Sequence, residues 1–180
     1  MLDGNKPIIK KTHSKPSSIQ HPVSSIQYPA SAIRILGIDP SLRSTGYAVI
    51  ETNGSEFRAL DYGLIQNKRG VIPSRCLAAI HETLERVIRE HRPAQAALES
   101  IIYAQNLKTA ITMGHARGAA VLACARHGLE IFEYSPKKVK IGVSGKGSGA
   151  KQQVSFMVRA LLGLRENPPF DVTDALAVAL

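Results

Sequence analysis

The sequence predicts a mixed α/β fold, a five-stranded sheet with three antiparallel strands followed by parallel ones, flanked by helices. Two observations carry this expectation. The ordered region opens with three β-rich segments joined by turn signals, and it then alternates between helical and strand periodicity. An apolar share of 44% is ordinary for a protein with a real core.

Residues 1–31 are rich in Ser, Pro, Lys and Gln, with apolar residues scattered singly. Such a segment buries too little surface to offset chain entropy and is expected to form a disordered tail. The tail has no charged-then-apolar layout of a secretory signal, and no arginine precedes Arg34, which argues against a targeting peptide. The folded domain is expected over residues 32–180.

The first strand is read over residues 32–38, ending at Asp39, where Pro40 stops it. A turn leads into Gly46 to Ile50, and Asn53-Gly54 signals a hairpin into Phe57 to Ile65. From Ser74 to His91, Leu77, Ile80, Leu84, Val87 and Ile88 share one helical face, and Pro93 ends that helix. Gln95 to Leu98 is a short buried strand that stops at Glu99. A helix follows from Asn106 to His127, with a small inner face of Ala110, Gly114, Gly118, Ala120 and Ala123 and a cap at Gly128. Ile131 to Tyr134 is the fifth strand. A lysine- and glycine-rich loop, a helix from Ala150 to Leu162 capped by Gly163, and a last helix from Asp171 to Leu180 complete the order.

The formal net charge is +9. No carboxylate lies between Glu133 and Glu166, whereas Lys137, Lys138, Lys140, Lys146, Lys151, Arg159 and Arg165 all do. One-signed charge at this density suits a polyanionic partner, although a merely solvated basic face is the bland alternative. Cys76 and Cys124 lack metal-ligand spacing and read as buried thiols. No apolar run approaches a membrane span, so a soluble, cytoplasmic protein is expected.

Four acids stand in unusual places. Asp39 and Glu99 each close an apolar strand, and ligands gather at the carboxyl ends of strands in open α/β sheets. Asp171 and Asp174, spaced i, i+3, share one face of an apolar helix that must dock on the fold. If strands one and four are neighbours and that helix covers their ends, all four carboxylates meet. Such a cluster requires cations, and an oxygen-only donor set suits Mg²⁺ or Mn²⁺ rather than zinc. Two such ions ~3.5–4 Å apart can promote phosphoryl displacement, which makes a nuclease the leading chemistry. Each acid also has an innocent reading: Asp39 as a turn starter before Pro40, Glu99 as a solvated loop residue, and Asp171 with Asp174 as helix-start residues.

Taken together, Gly37-Ile38-Asp39-Pro40-Ser41, Thr45-Gly46-Tyr47, Leu98-Glu99, Gly114 to Gly118, Phe132-Glu133-Tyr134, Val139-Lys140, Gly145 to Lys151, Asn167-Pro168 and Asp171 to Ala177 resemble the RuvC family of Holliday junction resolvases. The resemblance spans roughly Ile33 to Leu180 and implies an RNase H-like fold. It further implies a homodimer that nicks four-way DNA junctions symmetrically, using two Mg²⁺ per subunit with Mn²⁺ able to substitute. It implies Asp39, Glu99, Asp171 and Asp174 as catalytic, metal-binding acids, and association with the RuvAB branch-migration complex. Lys140 and Lys151 fall where the family keeps basic residues near the scissile phosphate. Lys146, Arg117, Ile102 and Tyr103 join them as candidate DNA contacts.

Three departures from the family pattern stand out. The usual glycine after Asp-Pro is Ser41. The usual aromatic three residues past the glutamate is Ile102, followed by Tyr103, so either residue is a candidate wedge at the junction. Family members usually continue further past the acid-bearing helix, so a short, loosely held helix there is one expectation. Three rivals remain at this stage: an actin-like phosphotransferase, which would need a second domain; a junction-binding protein without catalysis; and another RNase H-like nuclease.

Overall fold

A computed structural model describes residues 32–100 and 106–180. The proposed tail (1–31) and the wedge candidates Ile102 and Tyr103 lie outside the described residues. The chain runs β1 (Ile33–Asp39), β2 (Ser44–Thr52), β3 (Phe57–Gln66), α1 (Pro73–His91), β4 (Gln95–Glu99), α2 (Leu107–Arg126), β5 (Glu130–Tyr134), α3 (Pro136–Ser144), α4 (Lys151–Leu162) and α5 (Phe170–Ala179). The sheet order is β3-β2-β1-β4-β5. β1, β2 and β3 pair antiparallel, while β4 and β5 add parallel to β1. This is the mixed sheet the sequence predicts, with the expected neighbours β1 and β4 side by side.

Strand alternation sends successive side chains to opposite faces, and each face has its own core. On one, Leu36, Ile38, Val49 and Leu98 pack with Ile80, Leu84, Val87 and Ile88 of α1 and Ala116, Ala120 and Ala123 of α2. On the other, Ala48 and Ile50 meet Val143 of α3, Val154 and Val158 of α4, and Val172, Ala175, Leu176 and Ala179 of α5. The expected inner face of α1 is thus observed, with Leu77 only partly buried at its edge. Both cysteines are free and buried, as expected, and burial pushes the Cys124 thiol up to about 12.

Two expectations need correction. The segment after β5 is not a loop. Pro136–Ser144 forms α3, with the Ser135 hydroxyl accepting from the Lys138 amide, Pro136 in the first turn, and Gly145 in the left-handed region at its end (φ 71°). Pro in the first turn and Gly just past the last are the usual helix punctuation; the lysines and Gly142 between them obscured it. The second correction concerns α2. Its buried side is Ala116, Ala120, Ala123 and Cys124, whereas Gly114 and Gly118 are exposed. Asn106 caps this helix by accepting from the Thr109 amide.

The helix bearing Asp171 and Asp174 is not loosely held. Val172, Thr173 and Ala175 to Ala179 are all buried. α5 lies directly on the sheet backbone because β1 and β2 present glycine beneath it. A Cβ on Gly37 would collide with the Ala175 carbonyl, and one on Gly46 with the Asp171 carbonyl.

Candidate active site

β1 and β4 run parallel with Ile38 opposite Leu98, so the next residues, Asp39 and Glu99, end adjacent strands at their carboxyl ends. α5 passes over this end of the sheet with its i, i+3 acids on the near side. A cavity of about 250 Å³ results, lined by Asp39, Glu99 and Asp174 together with Lys140 of α3 and Lys151 of α4. Asp171 sits one helical turn away, where its carboxylate accepts a hydrogen bond from the Ser44 hydroxyl at the start of β2. The capping reading of Asp171 therefore fails: Pro169 stands at the N-cap without a side-chain cap bond, and Asp171 faces the sheet.

The electrostatics are those of crowded carboxylates. Burial, then the charges of Asp174, Asp171 and Glu99, raise Asp39 from 3.8 to about 7 against the opposing pull of Lys151. Glu99 is raised by burial and by Asp174, with Lys151 and Lys140 opposing. The Lys151 ammonium donates to Asp174 Oδ2 at 3.3 Å, and the Asp174 charge raises the lysine's own pKa. Among the described residues no three His, Cys, Asp or Glu side chains already converge as a closed ligand group. Lys151 and Ser44 instead occupy two of the carboxylates. The donor chemistry nonetheless fits hard divalent cations: every ligand candidate is a carboxylate oxygen. At about 7, Asp39 is only part-ionised at neutral pH, and a nearby positive charge would favour its ionised form.

Among the DNA-contact candidates, Lys140 and Lys151 line the cavity, whereas Lys146 lies exposed between α3 and α4, outside it. Arg117 is placed differently. Its side chain is only 14% exposed; Nη1 donates to the Glu99 carbonyl at 2.9 Å and Nη2 pairs with Glu133. It therefore ties α2 to the end of β4 and holds the backbone that presents Glu99. Sequence reasoning missed Ser44. Its only signal was a hydroxyl two residues before Gly46, where α5 comes closest to β2.

A β3-β2-β1-β4-β5 sheet carrying acids at the ends of β1 and β4, with two more on a helix laid across them, defines the RNase H-like class. Residues 35–180 match the family model described as crossover junction endodeoxyribonuclease RuvC. A crossover junction endodeoxyribonuclease RuvC of Akkermansia muciniphila is 53% identical over 148 residues, covering 82% of this chain and 89% of that one. The protein of the same description from Alkaliphilus oremlandii is 47% identical over 147 residues, covering 81% and 90%. Among solved structures, T. thermophilus RuvC in complex with a Holliday junction substrate superposes with a TM-score of 0.78. It is 31% identical, covering 82% of this chain and 90% of that one. The chain belongs to the RuvC family.

Proposed function

We propose that this protein resolves Holliday junctions by symmetric, metal-dependent nicking of two strands, in recombination and DNA repair. The observation that carries the reading is the cavity in which strand-end acids Asp39 and Glu99 face Asp174 of α5, with Lys140 and Lys151 on its rim. Family membership supports the junction as substrate.

Asp39, Glu99, Asp171 and Asp174 would hold two Mg²⁺, with Mn²⁺ as a substitute. Bound there, the ions would stabilise the attacking and leaving oxygens of an in-line phosphoryl displacement. Lys151 and Lys140 hold the phosphate and offset the charge that builds up on its oxygens. Releasing Asp174 from Lys151 frees both groups at once, the carboxylate for a cation and the ammonium for the phosphate. Lys146, exposed on the same basic stretch, adds electrostatic attraction to the DNA arms. Arg117 keeps Glu99 in place rather than touching DNA.

Symmetric nicking requires two sites, and the outward side of α2 suits a second copy of the chain. Leu107, Ile111 and Leu122 are exposed there at 76%, 48% and 52%, with Gly114 and Gly118 between them. Small residues let two such helices approach closely. Association with RuvAB and a cytoplasmic location rest on the family resemblance. Among the described residues, no helix is long and apolar enough to cross a membrane.

The test is cleavage of an end-labelled mobile four-way junction with Mg²⁺, beside a linear duplex and the Asp39→Asn protein. Paired nicks at symmetric positions in the junction alone, lost in Asp39→Asn while junction binding persists, are expected. Equal cutting of the duplex would point to another RNase H-like nuclease. A monomer in sedimentation at micromolar concentration would overturn paired cleavage by a dimer.

A further inference from the structure

Beside the acid cavity, α4 and the start of α5 enclose a second cleft of about 400 Å³, lined by Gln152, Ser155, Phe156, Arg159, Asn167 and Phe170 among others. Phe156 is 60% exposed and Phe170 is 48% exposed. Aromatic rings this open have left their burial energy unclaimed by the fold. Arg159 lies between α4 and the Asn167 segment, donating through Nη1 to Asn167 Oδ1 at 3.4 Å. Its Nε is buried and satisfied by no protein acceptor, which is costly for a desolvated donor.

The cleft and the acid cavity are both lined by α4 and α5. Along α4, Lys151 and Val154 of the cavity precede Gln152 and Ser155 of the cleft, and on α5 Phe170 of the cleft lies one turn before Asp174 of the cavity. No carboxylate lines the cleft. The two nearest in sequence are engaged elsewhere, Glu166 by the Tyr62 hydroxyl and Asp171 by Ser44. The surrounding stretch from Tyr134 to Arg165 carries cations and no acids. A DNA strand with one phosphate beside Lys151 would reach this cleft by running on along the first turns of α4.

We propose that the cleft receives a nucleobase of the cleaved strand next to the scissile phosphate, stacked on Phe156 and Phe170 with Arg159, Gln152 and Asn167 at its edge. The inference rests on the junction-cleaving reading of the neighbouring cavity. Exposed aromatic faces accept any base, while guanidinium and amide groups pair with base edges. This combination makes the cleft a determinant of which positions are cut. An apolar peptide would use the two rings but would leave Arg159 and both amides without matching chemistry.

Both phenylalanines are about half exposed, so Phe156→Ala with Phe170→Ala is expected to leave the protein folded with only a modest drop in melting temperature. Junction binding is read in the Asp39→Asn background and cleavage in the otherwise unaltered protein. The junctions carry a single abasic site scanned through the nucleotides on both sides of the cut. The double alanine change is expected to weaken binding about tenfold. One abasic position should weaken the parent to the same degree and the double variant no further. Equal binding and equal cut positions in parent and variant would overturn the proposal. So would a loss in the variant that persists at every abasic position, which would mark a backbone or protein contact. If the parent cuts no junction at all, the reading of the acid cavity fails first and this inference falls with it.

Discussion

On one face of the sheet, α1 and α2 bury Ile80, Leu84, Val87 and Ala120 against Leu36, Ile38 and Val49. On the other, α5 rests on the backbone of Gly37 and Gly46, with no room for a Cβ between helix and strand. Both faces bury a side-chain core, but only on the second does a helix also rest directly on strand backbone. Close approach is what brings the Asp171 and Asp174 face of α5 within reach of Asp39 and Glu99. Bulky packing like that of α1 would hold a helix equally well, but farther off, and carboxylates proposed to share cations would tolerate little added distance. Both faces contribute to stability, whereas the candidate acids gather on the α5 face alone.

Leu84→Ala is the largest expected perturbation of stability. Leu84 is fully buried, and truncating such a leucine costs about 2–5 kcal/mol depending on how far the cavity collapses. Denaturant unfolding should show that loss, while junction cleavage per folded molecule stays at the parent level. A parallel drop in cleavage would mean the two faces are not separable. Gly46→Ala sharpens the contrast from the other side. The added methyl meets the Asp171 carbonyl, and overpacking of this kind costs about 1–3 kcal/mol. Cleavage should fall far more than stability, on the order of 10²-fold, because displacing reacting groups by about an ångström has that effect. Single-turnover rates at saturating protein would check it.

How far this division was readable from the chain depended on what kind of signal each element carried. Strands ending in Asp39 and Glu99 were legible because an acid after an apolar run is a break in pattern. The Asp171 and Asp174 pair was legible because helical spacing is arithmetic. α1 declared its inner face through large residues at regular spacing. α2 did not, since alanine and glycine occur all around it, and a periodicity of small residues does not say which side is buried. Gly114 and Gly118 consequently face outward, contrary to expectation. α3 was hidden by lysines and Gly142 even though Ser135, Pro136 and Gly145 mark both its ends. Ser44 and Arg117 contact acids or strand ends far away in sequence, and pairings at that separation leave no local trace.

The acid face also makes a prediction about pH. Asp39 ionises near 3.8 when unfolded and at about 7 in the fold. The folded state thus holds its proton longer, and without metal this stabilisation declines as pH rises through that window. Glu99 is raised as well and acts in the same direction. Lys151 is raised from an already alkaline value, so its contribution is lost only above that window. In EDTA the melting temperature should fall by a few degrees from about pH 5 to about pH 8. Added Mg²⁺ should stabilise the protein increasingly over the same range, because only the ionised acids bind it. Stabilisation by Mg²⁺ that is equal at both ends would mean these acids are not its ligands.

Glu85 offers the smallest effect and the most direct check that the α1/α2 face stands apart. Its carboxylate lies 3.4 Å from Arg89, 3.7 Å from Arg126 and from His127, and 4.0 Å from His81, joining α1 to the end of α2. Glu85→Gln keeps the shape and removes the charge, at an expected cost of about 1 kcal/mol or less. Cleavage and junction affinity should not change. The route by which they could change is specific: α2 also carries Arg117, whose guanidinium holds the Glu99 carbonyl and pairs with Glu133. If Glu85→Gln slows cleavage in a protein that still melts normally, the position of α2 is being transmitted through Arg117 to Glu99. Repeating the change in an Arg117→Lys background would then show whether the two effects are one.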